Sequence, residues 1–314
     1  MTGPVLDRAA KRFLDALNAA IKSSAGPPTV AKLRAAAADL ATFAAAPPPA
    51  ERADETLALD GRELRLRIYS PPGRGGETLP GLVYFHGGGL VTGDLDTHDA
   101  LAATLATGAA CRIVAVDYRR APEARFPAAF DDAVATTLAA MQDPARFRLA
   151  AGRVGVGGDS AGGQLAALAA RAACEAGAAP ALQFLLCPVM DPLARSPSRL
   201  ALAQGHLIDE ATMRAYWDAY RVEGLDPQDP RVAPLCARDF SGLPRALIHV
   251  AEGDPMRDEG EAYAGELERA GVHVRLTRHA GLIHHFYGLG AVIPAARLAL
   301  AATVASLAEA FGSL

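Results

Sequence analysis

From about residue 60 onward, short apolar runs of strand length recur along the chain, separated by longer stretches with the spacing of helices. The runs are "LRLRIYS" from Leu64, "GLVYFH" from Gly81, "RIVAVDY" from Arg112, "RVGVGG" from Arg153, "ALQFLLCPV" from Ala181, "ALIHVAEG" from Ala246 and "VHVRLTR" from Val272. Helical stretches lie between most of them, at 97–107, 130–141, 161–176 and 256–270. Strands that alternate with helices predict an α/β sheet, largely parallel, with helices on both faces. The near-continuous apolar runs around 114 and 183 fit strands buried on both sides.

Two departures from this alternation suggest added pieces. Residues from about 5 to 46 read as two alanine-rich helices, stopped by "APPPA" at 46–50, where three prolines forbid continuation. Residues 190–245 separate the runs near Val189 and Ala246, more than a crossover needs. That interval holds a helical stretch, "DEATMRAYWDAYRV", with the single tryptophan, Trp217, and then a proline-broken loop, "LDPQDPRVAPL". The expected division is therefore N-terminal helices of a cap (1–50), a core in two parts (51–189 and 243–314) and a cap insertion (190–242). The cap would cover the C-terminal edge of the sheet, where α/β proteins bind ligands.

Composition narrows the function. The 314 residues are 51% apolar, enough for a sizeable core, and the net charge of -4 offers no basic field for nucleic acid. The leading residues mix charges into a helical pattern and lack the features of a signal peptide. The last segment, from Arg297, is interrupted by Glu309 and falls short of a continuous membrane span. Cys111, Cys174, Cys187 and Cys236 are scattered without metal-ligand spacing and read as reduced core thiols of a cytoplasmic protein.

The chemistry concentrates at strand ends. "VGVGGDSAGG" (154–163) puts Ser160 inside a Gly-x-Ser-x-Gly pattern after an apolar run, where a sharp strand-to-helix turn would lift its hydroxyl above the sheet. An attacking serine needs a base, an acceptor to orient that base, and donors for the developing oxyanion. "YFHGGG" offers donors, because the glycines after His86 leave backbone N–H groups unshielded. It lacks the Lys-Ser/Thr of a phosphate-binding loop. Asp254 follows an apolar strand in "VAEGDPMRDEG"; its competitor Asp258, with Glu259, reads as the first turn of the next helix. "GLIHHFYG" supplies a base, His284 or His285, and its local pattern fits either. Each element alone has an ordinary structural explanation, but all four occur in the order Ser, Asp, His on the expected strand ends. The other histidines have weaker claims on the site: His249 reads as core, His98 could cap a helix, and His206 in the insertion is a lesser candidate for the pocket lining.

The stretches "YFHGGG", "VAVDYRRAPEARFPAAFDD", "GGDSAGG", "DPRVAPL", "DPMRDEG" and "HHF" resemble the hormone-sensitive-lipase family of α/β-hydrolases, the bacterial family IV carboxylesterases. The resemblance implies an α/β-hydrolase fold with a helical cap, and a serine carboxylesterase acting on short- to medium-chain acyl esters, with no metal and no organic cofactor. Amide or carbamate hydrolysis, or a binding module without turnover, are its rivals. It further implies Ser160, Asp254 and His284 as the triad, with oxyanion donors from Gly88, Gly89 and Ala161. His284 is preferred because the family histidine stands two places before a phenylalanine, here Phe286. His285 then takes a family glycine position, and Leu90 stands where many members carry an aromatic. Arg119, Arg120 and Glu123 correspond to a structural turn. The expected partner is a small-molecule ester, with no nucleic acid and no membrane span, and a monomer or homodimer is left open.

Overall fold

The computed structural model describes residues 4–23 and 29–314; residues 1–3 and 24–28, in the leading stretch and the link between the first two expected helices, lie outside the described residues. Eight strands are found among the described residues: β1 (Glu51–Leu59), β2 (Arg62–Ser70), β3 (Leu79–Phe85), β4 (Arg112–Asp117), β5 (Leu149–Asp159), β6 (Gln183–Leu186), β7 (Ala246–Gly253) and β8 (Val274–Ile283). They form one sheet in the order β1-β2-β4-β3-β5-β6-β7-β8. β1 and β2 pair antiparallel, as do β2 and β4, and the pairs from β4 to β8 are parallel.

The helices are α1 (Arg8–Ser23), α2 (Val30–Ala41), α3 (Asp99–Gly108), α4 (Ala128–Gln142), α5 (Ala161–Glu175), α6 (Pro197–Ala201), α7 (Glu210–Tyr220), α8 (Arg257–Arg269) and α9 (Pro294–Gly312). Period-two alternation sends successive strand residues to opposite faces. Val114 and Val116 of β4 join one core with α4, α5 and α8 residues such as Ala133, Leu165 and Leu267. Ile113 and Ala115 join the other, with Leu105 of α3 and Leu307 of α9. The helices thus cover both faces, as the apolar runs predict.

β1 has no counterpart in the sequence reading. Its residues Glu51–Asp54 are exposed and only Leu57 is buried, so no apolar run announces it; it is an edge strand whose charges discourage further pairing. The final helix starts at Pro294, before Arg297. By length and composition it could cross a membrane, but Val304, Leu307 and Phe311 pack into the core against the sheet.

The interval between β6 and β7 carries α6 and α7. Asp209 caps α7 by accepting from the Thr212 amide at 2.8 Å. The interval is tied to the core by a buried ion pair, Arg199 to Glu259 of α8 at 2.7 Å. Glu259 also accepts from the Met190 and Asp191 amides, each at 2.7 Å. Asp258 and Glu259 do lie in the first turn of α8, but Glu259 holds this joint as well as facing the helix dipole.

Candidate active site

All the candidate groups leave the C-terminal ends of strands. Ser160 sits between β5 and α5 with φ 53° and ψ −120°, a backbone region costly for a residue with a Cβ. Only close packing holds such a turn. A Cβ on Gly162 would overlap the Phe85 carbonyl of β3, and one on Gly158 would overlap the Gly162 backbone. Those glycines let the turn sit directly on β3. The Ser160 amide donates to the Leu186 carbonyl at 2.8 Å, fixing the elbow to β6.

Strand register brings the other two groups together. Gly253 of β7 stands opposite Ile283 of β8, so Asp254 and His284 leave the sheet side by side. β8 runs as far as Ile283, and His284 follows it directly instead of lying in a loop some residues later. His284 Nδ1 lies 2.9 Å from Asp254 Oδ2, and His284 Nε2 lies 3.1 Å from Ser160 Oγ. The other carboxylate oxygen of Asp254 accepts from the Met256 amide at 2.8 Å. Asp258 is elsewhere, accepting from the Ser198 amide and pairing with Arg257. His285 turns away. Its φ is 62°, the left-handed region that favours glycine, which accounts for the glycine that the family resemblance puts at this position.

Gly88 and Gly89 have φ of 116° and 61°. The ring of Tyr216 on α7 occupies the place that a Gly89 Cβ would need. Among the described residues no hydrogen bond engages the amides of Gly88, Gly89 or Ala161. The Ala161 amide opens α5, where the unsatisfied N–H groups and helix dipole favour negative charge. The Gly88 carbonyl is held instead, by the Thr92 amide at 2.8 Å and the Thr92 hydroxyl at 3.0 Å. Leu90 also adopts a positive φ, 62°, and lines the adjoining cavity.

That cavity has a volume of about 680 Å³ and is walled mainly by apolar side chains, Leu17 of α1, Leu40 of α2 and Tyr216 and Trp217 of α7 among them, with Ser160 and His284 also in its lining. α2 is stapled to the loop after β3, since Arg34 donates to the Val91 carbonyl at 3.0 Å and pairs with Glu123 at 2.7 Å. Arg119 binds the buried Asp132 at 2.8 Å, and Arg120 donates to the Gly93 carbonyl. All three turn residues therefore serve the scaffold.

Two of the weaker histidine candidates behave differently from expectation. His206 bonds the Gln204 carbonyl at 2.9 Å and does not line the cavity; its neighbours Leu207 and Ile208 do. His98 stands at the start of α3 but makes no side-chain cap; its Nε2 lies 3.2 Å from Asp159 Oδ2. Cys187 is a free, buried core thiol as expected, and it also borders the triad. Burial first, and then the neighbouring Asp254 carboxylate to which it is hydrogen-bonded, push its thiol well up. Cys187, Asp254 and His284 present ligand atoms within 4.8 Å of one another. A protonated thiol beside a carboxylate already bonded to a histidine fits a hydrogen-bonded floor for the triad better than a metal-binding set. The pairing of Asp159 and the places of Cys187 and Tyr216 beside the site were not legible in the sequence, because their partners are remote in the chain.

Comparisons with known proteins give the family. An α/β-hydrolase-fold family matches residues 82–288. The chain belongs to the hormone-sensitive-lipase-like family of α/β-hydrolases. An ethyl acetate hydrolase of Pseudomonas putida is 39% identical over 254 residues, 80% of each chain. The carboxylesterase NlhH of Mycobacterium tuberculosis is 37% identical over 263 residues, 82% of each. Among solved structures, an ester hydrolase from the Lake Arreo metagenome, in complex with a bipyridine phosphonate derivative, superposes with a TM-score of 0.93. It is 37% identical and the match covers 98% of this chain and 99% of that one.

Proposed function

We propose that the protein is a serine carboxylesterase that cleaves short- to medium-chain acyl esters through an acyl-enzyme. The observation that supports this most is the unbroken hydrogen-bonded chain from Ser160 through His284 to Asp254, opening into an apolar cavity. In this reading His284 Nε2 takes the Ser160 proton as Oγ attacks the ester carbonyl, while Asp254 holds the imidazole tautomer and faces the imidazolium. The amides of Gly88, Gly89 and Ala161 would receive the tetrahedral oxyanion. The imidazolium returns its proton to the departing alkoxide, and a water deacylates the enzyme by the same route.

The N-terminal helices (1–50) and the insertion (190–242) then act as a cap that closes the cavity and limits acyl length. Pseudomonas putida ethyl acetate hydrolase, named for a short ester, points the same way. The four free thiols, buried or half-buried, support a cytoplasmic location. A chromogenic ester series from acetate to palmitate tests the reading. kcat/KM should peak at or below medium chain length, and faster turnover of emulsified long-chain lipid would overturn it.

A further inference from the structure

A second buried carboxylate borders the same cavity. Asp159, immediately before Ser160 in the chain, is 1% exposed. Its Oδ1 accepts from the Tyr84 hydroxyl at 2.8 Å and its Oδ2 faces His98 Nε2 at 3.2 Å. Gly87 is pressed onto the same carboxylate, since a Cβ there would overlap Oδ2. One side chain therefore braces both the nucleophile turn and the loop that carries Gly88 and Gly89.

Hydrogen bonds hold His98 through both of its ring nitrogens. Its Nδ1 lies 3.1 Å from Thr97 Oγ1. The single Thr97 hydroxyl proton is directed to the Asp94 carbonyl at 3.0 Å, and Oγ1 accepts from the Asp94 amide at 2.8 Å. Both ring nitrogens are thus engaged, Nε2 with Asp159 and Nδ1 with Thr97. The titratable groups around it are Asp159, Asp94, His86, 5.3 Å away ring to ring, and His285, 6.5 Å away. Burial holds both neighbouring histidines neutral, each at about 3. His98 itself is raised: burial opposes its charge, and the charge and hydrogen bond of Asp159 outweigh that.

We propose that His98, paired with Asp159, is a positioning residue for ester hydrolysis that keeps the oxyanion loop and the nucleophile turn in register. An unpaired carboxylate at that depth draws in water or a proton. Either would loosen the surface on which Gly87 rests, and with it the amides next in the chain. The substrate does not bond to His98, whose two nitrogens are both engaged. The loss therefore falls on the transition state and spares substrate binding.

The inference rests on the proposed esterase reading, and Ser160→Ala separates the two. If Ser160→Ala retained hydrolysis, the function itself would fail. With Ser160 essential, His98→Ala and His98→Gln decide this inference, in the full chain with p-nitrophenyl butyrate as substrate. His98→Ala should lower kcat by about 10- to 100-fold, a fraction of the effect of removing an oxyanion donor, with KM changed less than about threefold. His98→Gln, whose amide still donates to Asp159, should recover at least about fivefold of that loss. If the alanine variant does not fold, the glutamine variant with kcat reduced and KM retained still supports the role. A kcat within threefold of the parent in His98→Ala, a rise in KM alone, or a glutamine variant as poor as a folded alanine variant would overturn it.

Discussion

Lowering the pH from 7.5 to 5 should weaken the fold through the histidines it keeps as neutral rings. His86 and His249 are 3% and 2% exposed. Burial is the main cause that brings each down to about 3, helped by the charge of a neighbouring histidine, His98 in one case and His279 in the other. In the unfolded chain a histidine titrates near 6.5. Between those values protons bind the unfolded chain and not the folded one. The stability these rings contribute is complete above about 6.5 and is lost as the pH falls through that window towards about 3. At pH 5 each ring costs about 2 kcal/mol, from 1.5 pH units at about 1.36 kcal/mol per unit, and the two together about 4 kcal/mol. With an unfolding entropy of about 2.1 cal/mol/K per residue, about 0.66 kcal/mol/K for the chain, these two rings alone should lower Tm by about 6 °C. His279 and His285, also lowered by burial, add to the loss, whereas His98, raised by Asp159 against its burial, opposes it. Scanning calorimetry at pH 7.5, 6 and 5 measures the shift, and His249→Gln should remove about half of the two-ring effect. A Tm that stays within 1 °C or rises on acidification would refute the reasoning.

The two adjacent histidines should separate cleanly: His284→Ala loses about a thousandfold or more in kcat, as removal of a general base does. His285→Gly costs well under a hundredfold and relieves the left-handed backbone, both being read by steady-state kinetics on a p-nitrophenyl ester. Glu259→Ala leaves the buried Arg199 charge without its partner and two amides, those of Met190 and Asp191, without an acceptor. It should cost about 3 to 5 kcal/mol, seen as a lowered urea midpoint with an unchanged slope.

Most of the architecture was legible because buried parallel strands must be apolar on both faces, as "RIVAVDY" and "ALQFLLCPV" are. β1 was not, since an edge strand needs only Leu57 inside and spends its other positions on charges. The chemistry that depends on local backbone could be read in advance: the glycines of "GGDSAGG" and "HGGG" mark turns that only they allow. What depends on register could not. Nothing in "IHHF" says that β8 runs to Ile283 opposite Gly253, and the choice of His284 came from resemblance before the geometry agreed with it. The pairing of Asp159 with His98 and Tyr84 beside the site was equally hidden, because the three lie on separate elements.

Reaction with a p-nitrophenyl alkylphosphonate tests the central claim most directly, because the nucleophile displaces nitrophenolate and keeps the phosphonyl group as a stable adduct. Intact-mass and peptide analysis should find one adduct per chain, on Ser160, with esterase activity lost in proportion. Ser160→Ala should fold with an unchanged Tm, take up no adduct and hydrolyse esters at least about a thousandfold more slowly. An adduct on another residue, or ester hydrolysis within tenfold of the parent in the folded Ser160→Ala variant, would contradict the account.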